Sequence, residues 1–461
     1  MQADPAQPGL RTTSPLTPAG VSERLEAQGV DTVIGTVVNP AGLTLAKAVP
    51  VRQADTFADP GLGASPSWHA FAIDQTGIAF TDDVGVVGDQ RLRIDVSALC
   101  VLGNGLAWAP AGFFELNGSP VALCSRGTLR RVENALAQAG ITAAVGHELE
   151  FVLVDPEGRR LPSTSWAQYG LAGILEHEAF VHAVTVAAAS AGLAIEQFHP
   201  EYGANQFEIS LAPQSPVTAG DQLVLLRIIV ARAARQHGLR VSLSPAPFAD
   251  GVGSGAHQHF SLYRQQQPLF SGGSGPGGMT TAGQSAVAGV LCRLADAQGL
   301  LCGSIVSGLR MRPGNWAGAY ACWGIQNREA AVRFIEAGPA NPQGGNVEVK
   351  IVDPSANPYY ATAAILGLAL EGITNEATLP PKVKKDPAQL SEAQRCDAGI
   401  ALLPDSQPDI IAALNHSSLL RKLLGDSVID MVVAVRRMEH DRYGELDPEA
   451  LAGKFRMAWS L

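Results

Sequence analysis

The stretch GHELEFVLVD, residues 146–155, decides how the rest of the chain is read. Glu148 and Glu150 stand two apart in a run that reads as a strand, and side chains two apart on a strand point to one face. Two carboxylates then sit side by side and repel. A solvated strand face is the ordinary explanation of one such pair, because acids are mostly exposed. That explanation weakens as the pattern recurs. In HPEYGANQFEISL (199–211), Glu201 and Glu208 flank a Gly-Ala-Asn turn, and His257 and His259 share one face of GAHQHFSL (255–262). Glu348, in NVEVKIVDP (346–354), has apolar neighbours at 347, 349 and 351, so it occupies the face opposite the core.

Five strand carboxylates with strand histidines suit Mg2+ or Mn2+, hard cations that prefer oxygen donors, better than Zn2+. Arg310 and Arg312 lie beside a Pro-Gly turn, and Arg328 and Arg333 belong to NREAAVRF (327–334). Guanidinium forks match carboxylate and phosphate oxygens. Acids and arginines together point to anionic substrates held over a metal pair.

The bulk numbers fit that reading. With 461 residues the chain exceeds the size of one hydrophobic core, and two domains are expected. A net charge of -10 argues against nucleic acid or an anionic membrane as partner. Six scattered cysteines without C-x-x-C or zinc spacing read as reduced thiols in a cytoplasmic protein. Residues 1–16 read as a flexible leader without a secretory pattern, and the longest apolar runs fall short of the roughly 20 residues of a membrane span.

Between about 17 and 122 short runs (TVIGTVV, HAFAID, LRIDVSAL, PVALCS) predict strands of a small β-rich domain. From 123 to 461 helical runs such as QLVLLRIIVARAARQHG and YATAAILGLALEG alternate with strand-like ones, an α+β domain of catalytic size. GVGSGA (251–256) superficially matches a dinucleotide fingerprint but opens a strand, where the fingerprint needs a helix. HEAFVH places His177 and His182 five apart, on different helix faces, which excludes a zincin site.

Five motifs in order carry a resemblance: HELEF, HPEYGANQFE, GSGAHQHFSL, RMRPGNWAGAYACWGIQNREAAVR and EVKIVDPSANPYY. The chain resembles the glutamine synthetase superfamily, type I-like, in its γ-glutamyl amide ligase branch, as in γ-glutamylanilide synthetases. The resemblance runs from about 30 to 455. It implies a β-grasp-like N-terminal domain and a catalytic domain with a curved antiparallel sheet flanked by helices. It also implies ATP, two or three Mg2+ or Mn2+ ions per site, and a dodecamer of two hexameric rings in which the small domain serves a neighbour's site. One metal would be held by Glu150, Glu201 and Glu208, the other by Glu148, His257 and Glu348. His259 and Ser261 would lie near the nucleotide, Arg328 and Arg333 would handle the transferred phosphoryl group, and Arg310, Gly253 and Lys350 would bind L-glutamate. The implied chemistry is attack of the γ-carboxylate on ATP, giving γ-glutamyl phosphate, followed by displacement of phosphate by an amine.

The departures concern the amine. In glutamine synthetase proper, two acids form an ammonium pocket; here Asn39 takes the place of the first and Trp316 that of the second. An indole face keeps some attraction for a cation, about 0.5 to 2 kcal/mol, but supplies no base to deprotonate an alkylamine. An aromatic amine is already neutral at pH 7. With no acid evident near Trp316, the sequence favours an aniline-like amine. The alternatives are an alkylamine, ethanolamine or a polyamine; a silent structural oligomer; and a true glutamine synthetase. Asn346 and Lys350 stand where the family has arginines, and Val252 where it has asparagine. PPKVKKDPAQLSEAQRC offers no tyrosine for adenylylation.

Overall fold

The computed structural model describes residues 20–163, 166–339, 341 and 344–461. The expected leader, 1–16, lies outside the described residues.

The N-terminal region forms one six-stranded sheet from β1 (Thr32–Val38), β2 (Thr44–Pro50), β3 (Leu62–Ala64), β4 (Gln90–Ile94), β5 (Cys100–Gly103) and β6 (Leu106–Phe114). The order is β2-β1-β6-β4-β3, with β5 against β6 and the central β1 parallel to β6. Two predicted strands are absent. Within HAFAID, His69 and Ala70 end a 3-10 turn that starts at Pro66 and is capped by Ser65. PVALCS makes one bridge at Pro120 and then turns into the helix Ser125–Gln138. A proline fixes φ and brings no N–H to a ladder, so both runs leave the sheet where they enter. LRIDVSAL ends as strand at Ile94, where Asp95 accepts from Ser97 N and starts a turn.

The second sheet has ten strands: β7 (Ile141–Val154), β8 (Ile195–Pro200), β9 (Gln206–Leu211), β10 (Arg240–Ser242), β11 (Gln258–Arg264), β12 (Gln267–Pro268), β13 (Tyr320–Ile325), β14 (Ala330–Ile335), β15 (Asn346–Val349) and β16 (Ala401–Leu402). Its path is β16-β13-β14-β15-β11-β7-β9-β8. The expected all-antiparallel sheet is corrected to a mixed one, because β13 runs parallel to β14. In the sequence YACWGI reads as part of the Pro-Gly loop, so this strand is not foreseen.

Along β7 the odd-numbered Val145, Leu149, Phe151 and Leu153 are buried, which leaves Glu148 and Glu150 on the other face. The helices Ser125–Gln138 and Pro216–Gln236 pack on β7. Behind them Pro358–Thr374 is buried almost all round, as its unbroken apolar sequence requires. Asn357 caps that helix through Tyr359 N and Tyr360 N and donates to the Val38 and Asn39 carbonyls, tying the two sheets together.

Candidate active site

Strand register builds the site. Glu150 lies opposite Glu208, and Glu208 opposite His199; on the other side of β7, His259 lies opposite Glu348, and Glu348 opposite Arg333. These side chains form a transverse row over β8, β9, β7, β11, β15 and β14. Like charges directly opposite one another on a sheet destabilise it, so the Glu150–Glu208 pair is not explained by folding.

Three sets of ligand-type atoms gather within 4.8 Å of one another: Glu148, His257 and Glu348; Glu150, Glu208 and His257; and His199, Glu201 and Glu208. The expected set Glu148, His257 and Glu348 comes together as one group. Glu150, Glu201 and Glu208 do not; Glu208 divides between two groups, and His199 joins one of them. His199 stands two residues before Glu201 in HPE, so strand alternation was the available signal for it.

The electrostatics follow from crowding. Burial, then the Glu148 charge, push Glu208 up to about 8. The hydrogen bond to Glu208, 3.2 Å away, lifts His199 to about 9. Burial opposes the charged form of His259, but Glu148, 3.2 Å away, raises it to about 9. Glu348 is buried too, yet Lys350 and His259 hold it at about 2. Oxygen-rich groups with one histidine each are the donor set of hard divalent cations, and the crowded charge is what such ions would neutralise. The residues therefore fit the metals the sequence implies.

The loop entering β11 needs glycine for close approach. A Cβ on Gly255 would stand 2.4 Å from His257 Nε2 and 2.9 Å from Arg310, and one on Gly253 would stand 2.7 Å from the Arg310 stem. Gly253 thus accommodates Arg310, and its carbonyl accepts from Gln206. Arg310, expected to bind the carboxylate of glutamate, is buried, donating to the Ile351 and Lys350 carbonyls at 3.2 and 2.9 Å beside His257. Lys350, expected to meet substrate, is buried with Nζ 2.9 Å from Glu348, and Arg333 holds the other Glu348 oxygen at 2.9 Å. Arg328 is exposed in the turn before β14, with no ion pair among the described residues. His259 also contacts Asn346, and the buried Ser261 donates to the Gly345 carbonyl.

Asn39, expected in the amine pocket, is engaged within its own chain. Its amide donates to the Trp68 and Phe71 carbonyls and accepts from Ala41 N and Leu43 N, and it is 1% exposed. Its oxygen is taken up by its own turn and its NH2 by the Trp68–Phe71 segment. Trp316 behaves differently: it is 46% exposed, with a left-handed φ of 51°, and its ring meets Tyr202 edge-on at 5.8 Å. Tyr202 N in turn donates to Glu201, so the loop reaches the β8 end of the row. An acid lies there after all. Glu329, buried, accepts from Trp316 N at 3.1 Å; it follows the arginine in NRE, and only its distance in sequence from the loop conceals it.

The profile of the family "Glutamine synthetase, catalytic domain" matches residues 122–450. A gamma-glutamylpolyamine synthetase of Streptomyces coelicolor is 38% identical over 464 aligned residues, covering 99% of each chain. A glutamate–methylamine ligase of Methyloversatilis universalis is 27% identical, covering 93% of this chain and 96% of its own. Among solved structures, one titled as a novel glutamine synthase homolog superposes with a TM-score of 0.83 at 26% identity, covering 93% of this chain and 99% of its own.

Proposed function

The chain belongs to the glutamine synthetase family and is an ATP-dependent carbon–nitrogen ligase, and we propose that it joins the γ-carboxylate of L-glutamate to an aliphatic amine, a polyamine before an aniline. The observation that carries the ligase chemistry is the transverse row of five glutamates with His199, His257 and His259, ending in Arg333 and Lys350. The amine follows from two supports. The relative aligned over its whole length is named for polyamines, and another for methylamine. Glu329, which accepts from Trp316 N, supplies near Trp316 the acid whose apparent lack favoured an aniline, and so supports a cationic amine.

In this reading Glu148, His257 and Glu348 hold one Mg2+ or Mn2+, Glu150 and Glu208 with His257 a second, and His199, Glu201 and Glu208 a third. Bound ions supply charge stabilisation for the phosphoryl oxygens. Arg333 and Lys350 orient Glu348 from below, Arg310 fixes His257 and the loop after Gly253, and Arg328 stands exposed where a phosphoryl group can meet it. His259 and Ser261 border the nucleotide. The γ-carboxylate of glutamate attacks the terminal phosphorus of ATP, ADP leaves, and the amine, its ammonium proton given up to solvent, displaces phosphate from γ-glutamyl phosphate. Trp316 and Tyr202 wall the amine's approach. The dodecamer of two rings and a cytoplasmic location belong to the same proposal.

The test is phosphate release with ATP, Mg2+ and glutamate across ammonium, methylamine, putrescine, spermidine and aniline, with the product identified by mass spectrometry. The expected result is a γ-glutamyl polyamine as the main product. Fastest turnover with ammonium would make the chain a glutamine synthetase, and no release with any amine would make it a silent oligomer.

A further inference from the structure

Glu329 has no task in the row of acids. It lies in the turn that leads into β14, where its N–H donates to Asn327 Oδ1, and its carboxylate reaches the loop that carries Trp316. Its two oxygens differ. Oε1 accepts from Trp316 N at 3.1 Å, whereas Oε2 is buried with no hydrogen-bond partner, in a residue only 7% exposed.

A buried carboxylate oxygen without a donor is costly, about 1–3 kcal/mol. The cation acting on it within the chain is Lys350, but that ammonium is already engaged by Glu348 at 2.9 Å. Asp386 adds further negative potential. Burial raises the acid above its usual range, and a cationic donor from outside the chain would complete it. Beside the acid, Trp316 is held in a left-handed conformation that non-glycine residues rarely adopt, and the ring it holds up is half exposed. A carboxylate and an indole face are two groups that recognise an alkylammonium ion.

We infer that Glu329 binds the cationic end of the amine substrate, with Trp316 as the wall beside it, and so sets the preference for charged aliphatic amines; this rests on the ligase reading above. It is a specificity-determining residue that takes over the acidic role missing at positions 39 and 316.

The experiment compares Glu329→Gln, which keeps an oxygen for Trp316 N but removes the charge, with Glu329→Asp, which keeps the charge. Initial rates are measured with ATP, Mg2+ and glutamate against methylammonium and putrescine, both cations at pH 7, and against hydroxylamine, which is neutral there and gives a γ-glutamyl hydroxamate read as its coloured ferric complex. Loss of one partner of a buried charge pair predicts a rise of at least about 30-fold in KM for the two cations in the Gln variant. Hydroxylamine use should stay unchanged, and the Asp variant should recover most of the cation affinity. An unchanged cation KM, or an equal loss with hydroxylamine, would overturn the inference, the latter because Glu329 would then only shape the loop. Wild-type protein that makes no product with any of the three would overturn the ligase reading itself, before the variants are compared.

Discussion

Two buried groups of charges in this molecule invite comparison. At the junction of the sheets, Arg126 donates to both oxygens of Asp221 at 2.8 Å and to Asp95 at 2.7 Å, while Tyr359 donates to Asp221 and Ser97 to Asp95. Arg130 approaches the same Asp95. Acids and arginines balance, and each acid oxygen is met by a donor. On the face of the large sheet, by contrast, Glu150 is set against Glu208, and five glutamates crowd a space whose arginine and lysine both attend one of them, Glu348. The first group is complete within the chain and holds the fold together. The second is met, beyond Glu348, by histidines held at about 9, groups that can give up their protons to a bound cation, and in the proposed function that exchange sets a ligand site apart from a structural ion pair.

The sharpest way to break this contrast is Glu208→Gln. It should lower amine-dependent phosphate release on the order of 10²–10³-fold, as for loss of one stabiliser of developing charge. The metal-free variant should melt no lower than wild type, because a carboxylate already pushed up to about 8 and facing Glu150 gives the fold nothing. Asp221→Ala should do the reverse. It leaves Arg126 buried without its main partner, and urea unfolding should report a loss of about 3–5 kcal/mol, with activity per folded molecule preserved.

Trp316→Ala sharpens the comparison inside the site. It should raise KM for a cationic amine by roughly 3- to 30-fold, the equivalent of a cation–π contact, and leave KM for glutamate alone. The smallest effect concerns a completed pair. Asp74 accepts from Arg442 and Tyr443 and from the backbone of Gly77, and these hold its carboxyl well below the usual range despite partial burial. Its folded pKa is depressed, so its contribution is fully present above the unfolded value of about 3.9 and is lost as pH falls through the lower folded one. Asp74→Asn should therefore cost about 1 kcal/mol at pH 7, given the exposed Arg442, and the deficit should shrink in acid denaturation scans.

How much of this was legible beforehand follows from the same physics. β7, β9 and β11 can be read because alternation places acids and histidines on one face of apolar strands. HAFAID and PVALCS mislead because proline chemistry at Pro66 and Pro120 overrides apolar content. β13 is hidden because YACWGI lacks alternation and adjoins a Pro-Gly loop. Asn39 looks like a site residue by its place in the chain, but its amide caps its own turn, a local competition invisible at the level of motif. Glu329 is missed for the opposite reason: thirteen positions separate it from Trp316, and only the fold brings its carboxylate under that loop.

In the proposed function the row on the large sheet takes up divalent cations. Thermal melting during an Mn2+ titration tests it most directly, with wild type, Glu208→Gln and Asp221→Asn side by side. The account predicts a saturable rise in melting temperature for wild type, a rise of similar size from a lower baseline for Asp221→Asn, and its loss or marked weakening for Glu208→Gln. A wild-type protein indifferent to Mn2+, or a Glu208→Gln variant that responds as wild type does, would contradict it.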